Sequence, residues 1–241
     1  MKRIGLICAG GKSTRTREIG VMQKACAMVK WNGKIKPVVV HQIDALRGKV
    51  DEIYVVVGWM AEDVKQAIRR YNVNNIKFFH DRKIEGLGAV WKQFTERTHY
   101  RGLIISVNVD DLHQPDVYDT INGVGIGMVK ATRPYGELSD FFDMKGKTVY
   151  EVENGYVKRV IGKCDGILDG YIGSGIYVFN ADDLRTAFYR KNEKGEYDPD
   201  LVVEDLISKG VKFKCYETGL WCDVGNPKIL KKVMVGNGEG F

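Results

Sequence analysis

Residues Ala9 to Arg15 read Ala-Gly-Gly-Lys-Ser-Thr-Arg and follow directly on the apolar run Ile4 to Cys8. Ile4 to Cys8 is long enough for one buried strand. A strand that runs straight into Gly10 and Gly11 can turn sharply and point its backbone N–H groups outward, which makes an anion cradle. The usual anion for such a loop is a phosphate. Arg15 at its end can fork onto phosphate oxygens. An ordinary glycine turn between a strand and a helix is the plainer reading of the same residues.

Two more strand ends carry acids. Asp110 and Asp111 follow the apolar run Leu103–Val107, and a carboxylate there is well placed for Mg²⁺, which prefers oxygen ligands and phosphate partners. Asp223 lies in Leu220-Trp221-Cys222-Asp223-Val224-Gly225-Asn226-Pro227, as a second metal ligand or as a cap. Helix capping is the alternative for Asp110 and Asp111 too. Lys24 stands in a mostly uncharged run between Gln23 and Ala25-Cys26-Ala27, where a surface lysine is the plainer reading. Glu85-Gly86-Leu87-Gly88-Ala89 is a second glycine loop before a helix. Gly88 removes a side chain where a base could lie flat. Asp81 and Glu85 lie just ahead of Gly88 and can accept from the N–H groups of guanine or the amino group of cytosine. For Asp81, a solvated acid in Asp81-Arg82-Lys83 is the alternative.

The elements that must position these residues alternate over residues 1–111. Strands are predicted at Ile4–Cys8, Ile53–Val57, Ile76–Phe79 and Leu103–Val107, and helices at 35–46, 60–71 and from Gly86. That alternation predicts an α/β fold, a doubly wound, mostly parallel, Rossmann-like central sheet whose ligands bind beyond the carboxyl ends of the strands. Residues 112–241 change texture, with a hairpin signal at Glu153-Asn154-Gly155, strands at 124–132, 171–179, 211–216 and 219–224, and helices at 181–189, 201–208 and 227–235. This half is expected to form a smaller, antiparallel part. The chain reads as a single domain, 1–241, with halves at 1–111 and 112–241, which the family resemblance given below implies to be nucleotide-binding and acceptor-binding. The tail after Gly236 is expected to fray.

The 241 residues suit such a domain. Apolar residues make up 44% and charged residues 28%, an ordinary balance for a soluble protein. Lys+Arg is 37 against Asp+Glu 31, and the excess of +6 is spread without a basic block. Nucleic-acid binding is therefore not indicated, while an anionic substrate fits. The odd count of five cysteines without close pairing reads as reduced thiols in a cytoplasmic protein, with neither a zinc site nor a disulfide frame. No signal peptide, membrane-length apolar run, repeat or further enzymatic domain is expected.

Taken together, these motifs resemble the sugar-1-phosphate nucleotidyltransferases, the nucleotide-sugar pyrophosphorylases. The family signature L-x-A-G-G-x-G-T-R, then P-K, is approached by Leu6 to Arg15 and Gln23-Lys24. Gly33 to Pro37 resembles its G-K-P, Gly86 to Val90 its T-A-G-A-L, and Asn108-Val109-Asp110 its N-G-D. Gly173 to Phe179 resembles N-A-G-I-Y-V-F, and Trp221 to Pro227 resembles W-x-D-I-G-T-P. The matches fall in family order over nearly the whole chain.

The resemblance implies transfer of a nucleotidyl group from an NTP to a sugar 1-phosphate, giving an NDP-sugar and pyrophosphate. It implies that the loop from Cys8 through Ala9, Gly10, Gly11, Lys12 and Ser13 to Thr14 holds the triphosphate. Arg15 would stabilise the leaving pyrophosphate, and Lys24 would contact the α-phosphate or the acceptor phosphate. Asp110 and Asp223 would hold Mg²⁺, and Gly88 with its neighbours would face the base. Lys163, Gly173 and Gly175 would meet the acceptor, and the family often forms dimers or tetramers. There are departures. Ser13 replaces a glycine, which brings a side chain into the cradle, and Gln23 replaces a proline. Gly162-Lys163-Cys164 replaces E-K-P, and Gly173 stands where an asparagine is common. Catalytic positions persist while acceptor contacts change, which fits an unusual acceptor. Alternatives are a cytidylyltransferase acting on a small phosphorylated alcohol such as phosphocholine, or a non-catalytic nucleotide-binding regulator. A dinucleotide oxidoreductase fits poorly, because the loop lacks G-x-G-x-x-G spacing.

Overall fold

The computed structural model describes residues 1–131, 146–164, 170–219 and 221–235. Four parallel strands form its first part: β1 (Arg3–Cys8), β4 (Glu52–Val57), β5 (Ile76–His80) and β6 (Leu103–Asn108). Between β1 and β4 lie β2 (Met28–Trp31) and β3 (Lys34–Pro37), a separate hairpin. Next come β7 (Asp111–His113), β8 (Gly125–Ala131), β9 (Thr148–Glu153) and β10 (Tyr156–Lys163). The last strands are β11 (Gly170–Asn180), β12 (Lys214–Glu217) and β13 (Trp221–Asp223). The helices are α1 (Val38–Leu46), α2 (Ala61–Arg70), α3 (Leu87–Thr98), α4 (Val117–Thr120), α5 (Ala181–Thr186), α6 (Pro199–Ser208) and α7 (Pro227–Val233).

The main sheet is mixed, in the order β5-β4-β1-β6-β11-β8-β12-β10-β9. β11 joins β6 antiparallel, with Ile176 opposite Val107 and Phe179 opposite Ile104. Strands of the second half thus extend the first-half sheet instead of forming a part of their own, and the mostly parallel, doubly wound expectation is corrected to a mixed sheet. The parallel section stops at β6 because the next strand added to that edge, β11, runs the other way. β9 also returns to Tyr171 and Ile172 of β11, which brings the far edge back toward the centre.

Both faces of the sheet are covered. Ile7, Val55, Val57, Ile105 and Val107 pack on one face with Val39, Ile43 and Leu46 of α1 and Leu230 of α7. Leu6, Val56, Ile104 and Phe179 pack on the other with Trp91 and Phe94 of α3, Leu184 of α5 and Leu206 of α6. Runs buried on both faces read as continuous β-branched stretches, which is why these strands were visible in the sequence.

Some boundaries differ from the sequence reading. Asn32 and Gly33 both take left-handed φ (49° and 74°), so Lys34–Pro37 folds back on Met28–Trp31 as β3 instead of opening the helix. Pro37 is then the residue before α1 (φ −58°, ψ 143°). The helix expected over 181–189 ends at Thr186, and the strand expected from Val211 begins at Lys214. Asn154-Gly155 forms the expected tight turn, with φ 52° and 78°. Thr132, Leu220 and the tail after Gly236 lie outside the described residues.

Candidate active site

The three central strands end together. Cys8 is level with Val56 of β4 and Asn108 of β6. The loop from Ala9, the Gly58-Trp59 turn and the Val109-Asp110-Asp111 turn therefore share one edge. Gly10 and Gly58 allow two of these turns to touch. A Cβ on Gly10 would stand 3.1 Å from the Gly58 nitrogen, and the Trp59 N–H donates to the Gly10 carbonyl at 3.0 Å.

Gly11, Lys12, Ser13, Thr14, Arg15 and Thr16, with Lys24 and Gly225, line a cavity of about 150 Å³. Cys8, Ala9 and Gly10 lie behind it. The Ala9 N–H donates to the Val56 carbonyl, so it continues the strand. The Cys8 sulfur lies 3.6 Å from the Ser106 hydroxyl, and burial pushes the thiol up to about 12, so it stays neutral. Gly11 has open space where a Cβ would stand.

Ser13 does not enter the cradle as expected. Its hydroxyl donates to Oε1 of Gln23 at 3.0 Å and accepts from the Lys24 N–H at 3.1 Å. The Gln23 amide donates to the Trp59 carbonyl at 2.8 Å. The two departures from the family signature are one feature, in which each residue satisfies the other in a buried place.

Lys24 forms an ion pair with Oδ2 of Asp110, and an Arg15 guanidinium nitrogen stands 4.0 Å from the same oxygen. Burial would raise the Asp110 pKa, but the Lys24 ammonium outweighs it and holds the carboxyl below its ordinary range. Asp223 faces Asp111 across the β7–β13 pair. Its Oδ1 accepts from the Gly225 N–H at 2.9 Å, and its Oδ2 meets Lys147 at 2.6 Å. A Cβ on Gly225 would collide with Oδ2 of Asp110 and lie 2.9 Å from Asp223 Oδ1 and 3.1 Å from Arg15. Arg15, Asp110 and Asp223 thus converge on one bare backbone position at the mouth of the cavity.

This arrangement bears on the implied metal. Among the described residues no three His, Cys, Asp or Glu side chains lie together as a closed ligand cage. Two carboxylates beside a phosphate-sized cavity nevertheless fit Mg²⁺, which takes one or two carboxylates and completes its shell with water and substrate phosphates.

Two contributors, Lys147 and Gln42, were missed in the sequence, while Asp111 was read there together with Asp110. Lys147 bridges Asp223 and Asp111 (3.8 Å to its Oδ1) and lies over the Trp221 ring at 4.8 Å. Burial would lower its pKa, but Asp111 and Asp223 raise it, so it is an ammonium. Gln42 of α1 reaches the carbonyls of Asn108 (3.0 Å) and Asp111 (2.6 Å) and fixes the acidic turn. Asp111 is the partner of Trp221 Nε1 (2.9 Å) and Asn108 Nδ2 (2.8 Å), and burial pushes its carboxyl up to about 7. A buried glutamine in an apolar helix is a readable signal, whereas a lysine in a charged run is not.

The second glycine loop is placed differently from expectation. The Gly88 N–H donates to the Tyr197 carbonyl at 3.1 Å, and a Cβ there would sit 3.0 Å from that oxygen. The space expected for a base at Gly88 is filled by Tyr197. Glu85 pairs with Lys191 at 2.9 Å, tying the same two segments. Oδ1 of Asp81 accepts from the N–H groups of Lys83 and Ile84 (3.1 Å each) and from Gln93 (2.9 Å), so it closes its own turn and is buried, not solvated.

Of the residues expected to meet the acceptor, Lys163 donates to the Thr148 hydroxyl at 2.7 Å and pairs with Asp200. Gly173 lies 3.0 Å, measured from a built Cβ, from the Tyr150 ring. Gly175 has φ 83°, and a Cβ there would collide with the Asp111 carboxylate. Both glycines make way for neighbouring protein side chains.

Residues 5–99 match the model of the MobA-like NTP transferase domain. That stretch, less than half of the chain, is similar to an NTP transferase domain. The chain is similar to the bifunctional protein GlmU of Methanococcus maripaludis (23% identity over 92% of this chain and 51% of that protein). It is also similar to mannose-1-phosphate guanyltransferase beta-B of Xenopus laevis (24% identity, 92% and 61%). The chain thus spans about half to three fifths of the length of these relatives. In fold it matches the inositol-1-phosphate CTP transferase from T. maritima, with a TM-score of 0.70 at 16% identity, covering 95% of this chain and 91% of that one. No described helix is long and apolar enough to cross a membrane.

Proposed function

We propose that this chain transfers a nucleotidyl group from an NTP to a sugar 1-phosphate, releasing pyrophosphate. The convergence of Arg15, Asp110 and Asp223 on Gly225, with Lys24 paired to Asp110 beside a cavity walled by Gly11–Thr16, supports this reading most strongly. An acceptor phosphate oxygen attacks the α-phosphorus, the new P–O bond forms, and the bond to pyrophosphate breaks. Such a transfer needs alignment and charge neutralisation more than covalent help.

In this reading the triphosphate lies on the Gly11–Thr14 backbone, and Lys12 is exposed beside it. Arg15, whose side chain is 65% exposed, is free to turn onto the pyrophosphate as it departs. Lys24 sits between the cavity and Asp110, where an ammonium can meet the α-phosphate or the acceptor phosphate. Asp110 and Asp223 would hold Mg²⁺, which would neutralise phosphate charge when bound. Lys163, Gly173 and Gly175 border the acceptor side, while Asp81, Glu85 and Gly88 shape the nucleotide side through Tyr197 and Gln93. The cellular setting proposed is cytoplasmic, and the partners are the two small substrates, with association of like chains in the manner of the family.

A thermal-shift panel of ATP, CTP, GTP, UTP and dTTP, with and without Mg²⁺, tests the proposal, followed by pyrophosphate release with a set of sugar 1-phosphates and phosphocholine. One triphosphate raising the melting temperature in a metal-dependent way, with acceptor-dependent pyrophosphate release, is the expected result. Nucleotide binding without release from any acceptor would replace it with the regulatory reading.

A further inference from the structure

Lys147 stands where the proposed metal carboxylate is most exposed to charge. Its Nζ is 2.6 Å from Asp223 Oδ2 and 3.8 Å from Asp111 Oδ1, above the Trp221 ring. The other oxygen of Asp223 is held by the Gly225 N–H at 2.9 Å. The lysine is also fixed from behind. The Cys164 N–H donates to the Lys147 carbonyl at 2.8 Å, and the Gly146 N–H donates to the Cys164 carbonyl at 2.6 Å. These two bonds fasten the start of β9 to the end of β10, so only the side chain is free to leave.

Asp110, Asp111 and Asp223 would repel one another without counter-charge. Lys24 answers Asp110, and Lys147 answers the other two. A divalent cation entering at Asp223 meets an ammonium already on the oxygen it needs. We propose that Lys147 is a tethered counter-ion that competes with the divalent cation for Asp223 and so sets how much metal the site requires. This rests on Asp223 being a metal ligand in the reading above. The Lys147 side chain is 21% exposed, so it is partly open to solvent.

The test uses Mn²⁺, a divalent ion of similar oxygen preference, with no nucleotide or acceptor present. Mn²⁺ binding to the full chain is followed by the electron paramagnetic resonance of the free ion. Lys147→Met keeps length and removes charge, and is expected to bind Mn²⁺ about tenfold or more tightly than the wild type, as loss of a nearby like charge requires. Lys147→Arg should stay near wild type, and Asp223→Asn added to Lys147→Met should abolish the gain. Equal or weaker binding by Lys147→Met, or no binding by any form, overturns the proposal. A second measurement needs no variant. Reductive methylation of Lys147, followed by mass spectrometry, should speed up in the wild type when Mn²⁺ displaces the side chain. An unchanged rate overturns the proposal. Neither assay includes transfer chemistry, so failure here and failure of the transferase reading are seen separately.

Discussion

The Ser13 hydroxyl donates to Oε1 of Gln23 at 3.0 Å while accepting the backbone N–H of Lys24 at 3.1 Å. One hydroxyl therefore couples the Gly10–Arg15 loop to Lys24. Ser13 adopts φ 53°, a left-handed backbone conformation that glycine would enter without strain. The hydroxyl compensates for that strain through the Gln23 network. Gln23→Ala should destabilise the fold by about 1–2 kcal/mol, because the Trp59 carbonyl and Ser13 lose a buried partner. Ser13→Gly alone should change stability by less than about 1 kcal/mol, since relief of strain offsets the lost bond. In a double-mutant cycle by urea unfolding, the two changes should be non-additive by about 0.5–1.5 kcal/mol. Additive effects would mean the two residues act independently.

Arg15 and Lys24 are both cations at the cavity, but their surroundings differ. Arg15 is largely exposed and 4.0 Å from Asp110, whereas the Lys24 side chain is 18% exposed and pairs directly with that carboxylate. Arg15→Ala should leave stability within about 0.5 kcal/mol, while Lys24→Ala leaves a buried carboxylate unpaired and should lose about 3 kcal/mol. Both should lower kcat/KM for pyrophosphate release on the order of 10²–10³-fold, as for loss of a preorganised charge. Melting curves and initial rates on the same samples check this. A stable Lys24→Ala protein would show that its ion pair with Asp110 does little for the fold.

Gly88 separates packing from base contact. Its hydrogen touches Tyr197, so Gly88→Ala should press the 3.0 Å contact and destabilise the chain by about 1–3 kcal/mol. Any rise in KM for the triphosphate should follow from displacement of the 191–197 segment. A variant of wild-type stability with a weakened nucleotide KM would instead return the base to Gly88.

The central strands were legible because burial on both faces writes unbroken apolar runs such as Ile53-Tyr54-Val55-Val56-Val57. The glycine loop was legible from its Gly10-Gly11 pair, of which Gly10 is held bare by the close approach of Gly58. What the sequence hid depends on long-range pairing. The antiparallel entry of β11 beside β6 joins residues about seventy positions apart, and no local pattern reports it. Gly88 and Gly175 were read as room for ligands because a bare backbone looks the same whether a base or a protein side chain fills it. Lys147 sits in Lys145-Gly146-Lys147, indistinguishable by spacing from a solvated lysine, and its role comes only from the Asp111–Asp223 register.

His113 provides a pH readout beside the site. It is 2% exposed and stacked on Trp221 with centroids 6.4 Å apart. Burial pushes its pKa down to about 3 from an ordinary 6.5. The unfolded chain therefore takes up a proton that the folded chain refuses. The stability from His113 is complete above pH 6.5 and is lost as pH falls from 6.5 toward 3. Asp111 has the opposite sign. Its folded pKa of about 7 lies above the ordinary 3.8, so its contribution is present below 3.8 and is lost as pH rises through 7. Between pH 4 and 6.5 the two slopes oppose each other. His113→Phe keeps an aromatic ring and removes one of them, so relative to wild type its melting temperature should climb on acidification through that window. The Trp31 indole bond to the residue 113 carbonyl, at 3.3 Å, is untouched by the change. Parallel profiles for the two proteins would show that His113 takes up its proton in the folded state as readily as in the unfolded one.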